Sequence, residues 1–577
     1  MKNINKLVFG IFIMLLVFSC NDGIDPISYV DPGPDAGAPV VTIIKPTNGL
    51  AISDPNPVSS VEIELRVEDD IEVGSITVML DGMEIASYEV GSYVDYRIVN
   101  KTLTNDNIAI GEHTLTVTAT DLVGNVTTST SNFSKEPPYT PLYPGEILYM
   151  PFNGDYTDLV TSTPASEVGS PGFNVGGGIS GSAYQGAANS YLTFPSDNLA
   201  QGSNFSATFW LKIDASDGRA GIISMAPTDP SSPSDKPSGF GLIREANGSN
   251  QKFILLVGNG TNATWVNPGD PATIDPSVNN WVHFGITISE NNLSLYMDGE
   301  LVGQSAFTGI DWTGVGDLSI MSGDPNFSGW NHKTEKGQMD ELRLYNTTLT
   351  QDEVQTIMLK DQAALYMGFN GNYKDAISGD EAGEVGSPSF DFDNGISGDA
   401  YQGAANSYLT FPSDELTQDN NFSTTFWLKI DASDDRAGII NIAPAEPAAP
   451  SDKPSGFGLI REASGANQKF ILLTGNGNNA TWVNPGDPAT IDPSLSNWVH
   501  FGIVISEDNT ALYMDGVLVG QSAFTGIDWT GVGDLAIMSG DPNFSGWNHK
   551  TEKGQMDELY IFKKALTAEE INLLMND

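Results

Sequence analysis

The chain has 577 residues, of which 40% are hydrophobic, and its 73 acidic and 26 basic residues give a formal net charge of −47. This length suits about three domains of roughly 100–220 residues rather than a single core. The negative charge repels phosphate backbones and anionic lipid headgroups, so we expect no nucleic-acid partner. The 61 glycines and 33 prolines favour an all-β protein with many turns. The single cysteine excludes an internal disulfide framework and a thiolate metal site.

Residues 1–20 predict a signal peptide that ends at a lipid attachment site. Lys2 and Lys6 accompany an apolar run over residues 7–18, which is short for a membrane span and ends at Ser19-Cys20. The segment resembles a bacterial lipoprotein signal, which implies that Cys20 is lipidated, that the lipid is the only membrane contact, and that the chain lies on the cell outer membrane. An uncleaved anchor, or an ordinary signal peptide with an incidental cysteine, is the alternative. Residues 21–38, rich in Pro, Gly and Asp, predict a flexible tether and resemble the acidic tethers of surface-exposed Bacteroidota lipoproteins.

Residues 39–135 are expected to form a small β-sandwich. Residues 61–67 alternate apolar and polar side chains, and residues 75–80 run into a hairpin turn at Asp81-Gly82. Residues 111–121 form a further predicted strand, near whose start His113 is expected to have a structural role. The segment GEHTLTVTATDLVGN resembles a bacterial Ig-like module, which we interpret as a stalk. A Pro-rich linker over residues 136–144 follows.

Residues 145–360 and 361–577 are two copies of one sequence, offset by 217 residues. Residues 301–342 return as residues 518–559 with one change, Ser319 to Ala536. No Pro-rich linker separates the copies, so we expect them to pack together. Loops usually diverge faster than cores, so the unchanged segment 324–341 suggests a shared ligand, and recent duplication would leave the same trace.

Each copy reads as a series of antiparallel strands. Residues 205–213 alternate strictly, which places Phe209 toward a core and Trp210 away from it. Residues 281–288 and 293–297 continue as a meander, and residues 339–345 form a closing strand before a short helix. Capping boxes mark the start of that helix in both copies, at Thr350/Glu353 and Thr567/Glu570. So many strands predict two large sheets packed as a jelly roll.

Three motifs of each copy together resemble the laminin-G-like/concanavalin A-like lectin and glucanase superfamily. They are FSATFWLKI, NWVHFGITISENNLSLYMDGELVGQ and GQMDELRLYNTTLTQDEV. The resemblance covers both copies and implies an Ig-like sandwich followed by two concanavalin A-like (LamG) jelly-roll sandwiches. It says little about activity, because this fold carries lectins, enzymes and adhesion modules alike.

The resemblance also implies a structural calcium site in each copy. An oxygen-rich loop after the first strand would meet the aspartate of the closing strand, which suits the oxygen ligands of Ca²⁺. The implied ligands are Asp158 and Asp340 in the first copy, and Asp375 and Asp557 in the second. The alternative is that these aspartates cap turns or accept hydrogen bonds from backbone amides.

A sugar site requires flat aromatic faces for C–H surfaces and planar polar groups for hydroxyls. The candidate residues lie in loops rich in Gly, Asn and Trp, and they are Arg244, Trp265, Trp312, Trp330 and His332, with Arg461, Trp482, Trp529, Trp547 and His549 in the second copy. Packing roles are the alternative: Trp312 would fill a gap between the sheets, and Arg244 would form an ion pair with Glu245.

The acidic patterns of the related glucanases, which place two carboxyls across the scissile bond, do not occur in either of the two copies. Asp340 and Glu341 are adjacent, so on a regular strand they would point to opposite faces. We therefore expect a non-catalytic surface lipoprotein that captures polysaccharide or a glycoconjugate through its two tandem lectin-like domains. The chain also resembles the glycan-binding lipoproteins of Bacteroidota polysaccharide-uptake systems, which implies that it works beside an outer-membrane glycan transporter. The alternatives are a surface adhesion protein that binds other proteins, and a divergent glycoside hydrolase or lyase.

Overall fold

The computed structural model describes residues 37–577 apart from residues 55, 137, 229–235 and 446–453. The predicted signal peptide, Cys20 and nearly all of the predicted tether lie outside the described residues. The chain divides into two compact units, one ending at Tyr139 and one spanning Thr140–Asp577. No helix in the described part of the chain has the length and apolar character needed to cross a bilayer.

The first unit is a two-sheet β-sandwich, as its alternating pattern predicts. Its strands are β1 (Val40–Lys45), β2 (Leu50–Ile52), β3 (Val58–Glu68), β4 (Val73–Leu80), β5 (Met83–Glu89), β6 (Ile98–Ala109), β7 (Gly111–Asp121) and β8 (Val126–Lys135). One sheet has the order β1-β3-β6 and the other β2-β8-β7-β4-β5. Strand β3 buries every second residue, including Ile63, Leu65 and Val67, so one face of it lines the core.

His113 has the structural role expected of it. Its Nδ1 lies 2.7 Å from Asp81 Oδ2 and its Nε2 lies 2.7 Å from the Ala109 carbonyl oxygen, while its ring stacks on Phe133. Burial lowers the pKa of His113, but the bonds to Asp81 and Ala109 outweigh it and leave the pKa raised. The histidine therefore fixes the β4–β5 turn to the start of β7.

The second unit contains both sequence repeats. Repeat one has strands β9 (Glu146–Met150), β10 (Thr157–Asp158), β11 (Thr163–Pro164), β12 (Ser166–Val168), β13 (Gly172–Asn174), β14 (Ala183–Gln185), β15 (Tyr191–Phe194), β16 (Phe205–Lys212), β17 (Arg219–Met225), β18 (Phe240–Asn247), β19 (Asn250–Gly258), β20 (Ala263–Val266), β21 (Thr273–Ile274), β22 (Val282–Ile288), β23 (Asn292–Met297), β24 (Glu300–Ala306), β25 (Leu318–Ile320) and β26 (Gln338–Tyr345). Short 3-10 helices lie at Asp270–Ala272 and Ser328–Trp330, and an α-helix at Gln351–Lys360.

Repeat two has the same plan without the small β10–β11 pair. Its strands are β27 (Leu365–Met367), β28 (Gly383–Val385), β29 (Ser389–Asp391), β30 (Ala400–Gln402), β31 (Tyr408–Phe411), β32 (Phe422–Lys429), β33 (Arg436–Ile442), β34 (Phe457–Ser464), β35 (Asn467–Gly475), β36 (Ala480–Val483), β37 (Thr490–Ile491), β38 (Val499–Ile505), β39 (Asn509–Met514), β40 (Val517–Ala523), β41 (Leu535–Ile537) and β42 (Gln555–Phe562). Its 3-10 helices are Asp487–Ala489, Pro493–Leu495 and Ser545–Trp547, and its α-helix is Ala568–Asn576.

Each repeat is a sandwich of two antiparallel sheets, which confirms the predicted jelly-roll class. In repeat one the front sheet has the order β12-β15-β25-β17-β18-β19-β20, and the back sheet has the order β13-β14-β26-β16-β22-β23-β24. The core lies between them and includes Phe205, Phe209, Leu242 and Phe284. Repeat two repeats both sheet orders with its own strands.

The outer face of the back sheet is covered, although its residues were predicted only to face away from the core. Helix Gln351–Lys360 packs Val354 and Ile357 on this face, and both predicted capping boxes are present. Trp210 is only 6% exposed, and its Nε1 donates to Asp361 Oδ2 at 3.0 Å. Strand β16 is therefore buried on both faces.

The two repeats pack against each other within the second unit. Leu359 and Ala363, at the end of repeat one, join an apolar cluster formed by residues of repeat two such as Phe562 and Ile571. The ammonium group of Lys360 pairs with the carboxylate of Asp577 at the end of the second helix. Both sandwiches are thus held at a set spacing.

Asp361 is the polar centre of the segment between the repeats, and replacing it with alanine should destabilise the second unit. Its carboxylate accepts from Trp210 Nε1 and, at 2.6 Å, from Arg343 Nη1, both in the interior. Leaving two buried donors unsatisfied costs about 2–3 kcal/mol. Urea unfolding of Asp361→Ala should show the loss and Asp361→Asn a smaller one. An unchanged midpoint for the alanine variant would contradict this role.

Candidate functional site

A long loop, which we call the strap (residues 324–335), covers the outer face of the front sheet in repeat one. Phe327 is fully buried there against Ile243, Ile254 and Leu256, residues that point away from the main core. Gly241 is needed beneath it, because a Cβ at that position would lie 2.5 Å from the Phe327 ring. Apolar packing therefore fixes the strap to the sheet.

Polar contacts hold the start and the middle of the strap. Asn326 Nδ2 donates to Ser224 Oγ at 3.2 Å, and the buried Lys236 ammonium group donates to the Asn326 carbonyl. Arg219 Nη1 donates to the carbonyl oxygen of Trp330 at 3.2 Å. Much of the strap is buried, so packing constrains many of its residues in both copies.

The strap positions a pair of stacked indoles. Trp330 lies parallel to Trp265 of strand β20, with ring centroids 5.6 Å apart and an interplanar angle of 16°. Trp265 is 45% exposed, whereas Trp330 is half-buried against Phe327. In repeat two Trp482 and Trp547 form the same pair at 5.5 Å and 18°, and Trp482 is also 45% exposed. We refer to each as the tryptophan pair.

A groove of about 550 Å³ lies beside the backbone of Trp330 in repeat one, although neither indole of the tryptophan pair lines it. Asn331, the residue after Trp330, lines it, as does Arg219, which holds the Trp330 carbonyl. The other lining residues are mostly polar, and they are Ala188, Asn189, Asp217, Gly218, Glu245, Ala246, Lys333, Thr334 and Lys336. The surface thus combines an aromatic platform with a hydrogen-bonding, charged groove.

Arg244 lies in the interior and not on this surface, contrary to the prediction that it contacts ligand. Its side chain has no exposed surface and forms an ion pair with Glu335, not with the neighbouring Glu245. Its Nη1 donates to Gln251 Oε1 at 2.6 Å and to the Asp217 carbonyl at 2.8 Å. Along strand β18 the alternation turns Arg244 inward, toward the end of the sandwich. Arg461 has the same contacts with Glu552 and Gln468.

His332 is also buried, contrary to its predicted ligand role. It is 1% exposed, and its Nε2 lies 3.3 Å from Glu245 Oε1. Burial lowers the pKa of His332 to about 4, although Glu245 opposes the shift, so the ring is neutral near pH 7. His549 is equivalent, with its pKa lowered to about 4 by burial. His332 is thus a buried residue within the strap, and His549 is buried at the matching position of repeat two.

Trp312 fills a gap between the two sheets, which was one of the two roles predicted for it. Its ring meets Phe205 edge-on at 5.5 Å, and its Nε1 donates to the Gly202 carbonyl at 3.0 Å. Trp529 makes the matching bond to the Asp419 carbonyl at 2.8 Å. These indoles are half-buried structural residues and are not part of the tryptophan pair.

Asp158 and Asp375 bind backbone amides, as the alternative to calcium ligation proposed. Asp158 Oδ1 accepts from the Tyr149 amide at 2.8 Å, and its Oδ2 accepts from the Thr161 hydroxyl at 2.5 Å. Asp375 accepts from the amides of Tyr366, Ile377 and Ser378. N–H and O–H donors face these carboxylates where a cation would require oxygen ligands, so neither aspartate fits a calcium site.

Asp340 has a different environment. Its Oδ2 accepts from the amides of Ile179 and Ser180, and its buried Oδ1 has no hydrogen-bond partner among the described residues. Burial, reinforced by the neighbouring Glu341, raises the pKa of Asp340 to about 9. Burial also raises the pKa of Asp557 to about 7. Among the residues that the structure describes, no three acidic, His or Cys side chains cluster as metal ligands.

The prediction that Asp340 and Glu341 point to opposite faces is wrong. Glu341 has a φ of 53°, and the register of β26 against β16 shifts at this point, which marks a β-bulge. Met339 and Leu342 on either side both enter the core, so the two carboxyls lie together beneath the surface. Both are buried, and Glu341 accepts from Tyr149 Oη at 2.7 Å and from Arg343 Nη2 at 3.0 Å.

The groove residues Arg219 and Lys333 were not among the predicted site residues. Arg219 begins a strand and Lys333 lies within the strap, and neither shows a motif of its own. Their sequence signal is weak but real: they are cations in a chain with only 26 basic residues, and Lys333 lies three residues after Trp330. Only the fold brings them together with Glu245.

The sequence comparisons agree with this architecture. Residues 185–355 and 402–572 match the family described as the concanavalin A-like lectin/glucanases superfamily. Residues 39–117 match the bacterial Ig domain. Both matches confirm the resemblances noted from the motifs. No curated protein matches the chain.

Several solved structures share features with this chain. Domain 4 of AbnA, a GH43 extracellular arabinanase from Geobacillus stearothermophilus in complex with arabinotriose, is 17% identical, with 37% of this chain and 98% of that chain covered and a TM-score of 0.29. Domains LG4-5 of the mouse laminin alpha1 chain are 10% identical, with 74% and 96% covered and a TM-score of 0.22. The binding domain of botulinum neurotoxin DC, in complex with SialylT, is 12% identical, with 72% and 94% covered and a TM-score of 0.29. The fold assignment rests on the family match and the sheets described above.

Proposed function

Because this chain belongs to the concanavalin A-like lectin/glucanases superfamily, we propose that its two repeats bind glycan at their tryptophan pairs and do not cleave it. The observation that carries the proposal is the exposure of Trp265 and Trp482, each 45% exposed yet stacked on a second indole. The family itself contains both binding proteins and enzymes. The local geometry therefore has to favour one of them.

An indole held by stacking suits the apolar face of a sugar ring. The C–H face of a pyranose is flat and weakly apolar, and aromatic rings with a nearby wet edge bind such surfaces well. Trp330 holds the Trp265 ring in place before any ligand arrives, so little side-chain entropy is lost on binding. The polar groove beside it supplies donors and acceptors for hydroxyl groups, including Asn189 and Asn331. A groove of this kind favours a chain-like ligand over a flat protein surface.

The carboxyl groups near the groove support binding without cleavage. Hydrolysis requires two carboxyls across the scissile bond, one of them free to donate a proton. Asp217 forms an ion pair with Lys336 at 2.9 Å, and Glu245 pairs with Arg219 at 3.3 Å. The bulged pair Asp340 and Glu341 belongs to the back sheet and does not line the groove, and both side chains are buried and accept hydrogen bonds. These arrangements suit recognition better than catalysis.

Two sites in one compact unit would bind a repeating polymer with avidity. The packing of the repeats sets the distance between the tryptophan pairs, so a chain that reaches both binds the second site intramolecularly. Such linkage raises the overall affinity by about 10²-fold or more. A polysaccharide is therefore a better ligand than a single sugar.

Affinity electrophoresis of the full chain through gels that contain neutral or acidic polysaccharides tests this function directly. We expect retarded migration in gels with at least one polysaccharide and no released reducing ends. Product formation would show that the protein is a hydrolase or a lyase. Normal migration in every gel would overturn the proposal and favour a protein ligand.

We also propose that Cys20 carries lipid and that the protein lies on the outer membrane beside a glycan transporter. The signal pattern of residues 1–20 supports the anchor, and capture of a polymer at the cell surface is useful where import follows. Membrane fractionation of wild type and Cys20→Ser should show release of the variant into the soluble fraction. Equal membrane association of both would overturn the anchor.

A narrower calcium proposal follows from Asp340. Among the four predicted calcium-ligand aspartates, Asp340 has the one buried carboxylate oxygen, Oδ1, that lacks a hydrogen-bond partner in the described residues. In the oxygen-rich loop that follows the first strand, Asn153 Oδ1 accepts a hydrogen bond from the Ser182 amide at 2.7 Å. A cation there would replace the proton that the raised pKa of Asp340 otherwise favours. Carbonyl oxygens of these loops would complete the ligand set of Ca²⁺.

Calcium should therefore raise the melting temperature of the full chain, and EDTA should lower it. At a concentration about 100 times the Kd, binding stabilises by about 2.7 kcal/mol. Asp340→Asn should weaken the calcium response, whereas Asp158→Asn should lower stability equally with and without calcium. Identical melting of wild type in calcium and EDTA would refute the site.

A further inference from the structure

The residues that line the groove of repeat one recur in repeat two with a single difference. Of the residues that line the groove in repeat one, all but Gly218 have identical counterparts in repeat two, and Gly218 is replaced by Asp435. The surrounding backbone is the same, since Ala246 N donates to the Gly218 carbonyl at 2.8 Å and Ala463 N to the Asp435 carbonyl at 2.7 Å. The chain thus contains a natural comparison of one charge at one site.

This difference changes the charge of the groove. In repeat one, Asp217 and Glu245 face three cations, Arg219, Lys333 and Lys336, so the lining carries a net charge of +1. In repeat two the additional carboxylate of Asp435 brings the sum to zero. A positive groove stands out in a protein whose net charge is −47.

The net positive charge of the groove in repeat one is due to Lys333. Lys336 pairs with Asp217 at 2.9 Å and Arg219 with Glu245 at 3.3 Å, whereas exposed Lys333 forms no ion pair with any residue that the structure describes. Arg219 remains accessible, with 49% of its side chain exposed. An anion entering the groove would meet one free ammonium group and one partly engaged guanidinium group.

We propose that repeat one recognises a glycan unit that bears a carboxylate, a uronic acid, and that Lys333 and Arg219 contact this carboxylate in the groove. Repeat two, with Asp435 in the groove, recognises a neutral unit. The protein would therefore bind a polymer that contains both acidic and neutral units, with repeat one binding the acidic units and repeat two the neutral ones. This inference rests on the proposed glycan-binding function and names its substrate class.

Exchanging the two residues tests the inference with little structural disturbance. A Cβ added at Gly218 would meet only Ala246 Cβ, at 3.7 Å, which is ordinary contact, so Gly218→Asp should fold normally. The full chain, its Gly218→Asp and Asp435→Gly variants and a neutral Gly218→Ala control are run in affinity gels. The gels contain polygalacturonate, alginate or hyaluronan, or the methyl-esterified form of each, in which the carboxylates are neutral.

We expect stronger retention by the acidic polymers than by their esters. Gly218→Asp should weaken binding of the acidic polymers by about three- to tenfold, Asp435→Gly should strengthen it similarly, and both effects should shrink at high salt. Gly218→Ala should bind like wild type. Equal retention by acid and ester, or no response to the exchange, would overturn the inference and leave the proposed function intact. Normal migration with these polymers and with neutral polysaccharides alike would overturn both.

Discussion

Replacing Arg244 with methionine should destabilise the second unit by about 3–5 kcal/mol. The guanidinium group has no exposed surface and pairs with Glu335, which is also fully buried. Removing the cation leaves a carboxylate in the interior, together with unsatisfied oxygens on Gln251 and on the backbone of Asp214 and Asp217. Urea unfolding followed by tryptophan fluorescence would measure the loss.

Three comparisons make this result specific. Arg461→Met should cost a similar amount, because Arg461 has the same contacts in repeat two. Arg219→Met should cost less than about 1 kcal/mol, since its ion pair is exposed to solvent. Arg244→Met combined with Glu335→Leu should recover part of the loss, because the uncompensated charge is then gone. A stable Arg244→Met variant with altered glycan binding would instead restore Arg244 as a ligand residue.

Replacing both Trp265 and Trp482 with alanine should abolish retention by any polysaccharide that wild type binds. Each indole is a half-exposed aromatic anchor, and truncating such an anchor costs about 2 kcal/mol or more, roughly 30-fold at each site. Loss at both sites also removes avidity. Each single variant should keep weaker binding through the other repeat. Affinity electrophoresis against the polymer found for wild type provides the measurement.

Trp265 is a sharper target than Trp330 for this test. Trp330 packs against Phe327 and helps hold the strap, so its removal would disturb the fold as well as the surface. A matched control is Trp281→Ala with Trp498→Ala, which removes two half-buried indoles outside the tryptophan pairs. Unchanged melting of the Trp265/Trp482 variant would confirm that it is folded. Full retention of that folded variant would place the binding site elsewhere.

Arg244 and Arg219 show that residue type alone does not identify the side chains that can contact a ligand. Arg244 was a candidate for ligand contact, as were the loop tryptophans, because these residues lie in or near glycine-rich segments of the sequence. Arg244 turned out to hold the interior together, whereas the unremarked Arg219, at the start of strand β17, reaches the groove. Residue type states what a side chain can do, and only its position states whether a ligand can reach it.

The sequence alone determined the repeat, the all-β class, the two sandwiches and the helix caps. Period-two alternation, turn residues and an offset of 217 residues are local or self-comparing signals, and they need no tertiary information. Tertiary structure alone decided which residues form the candidate site. The strap crosses the front sheet and stacks Trp330 on Trp265. The bulge at Glu341 places the carboxyl groups of Asp340 and Glu341 on the same side of the strand, where regular alternation would place them on opposite sides. Such contacts depend on long-range packing and strand register. The local sequence of one segment does not specify which residues of another segment it contacts.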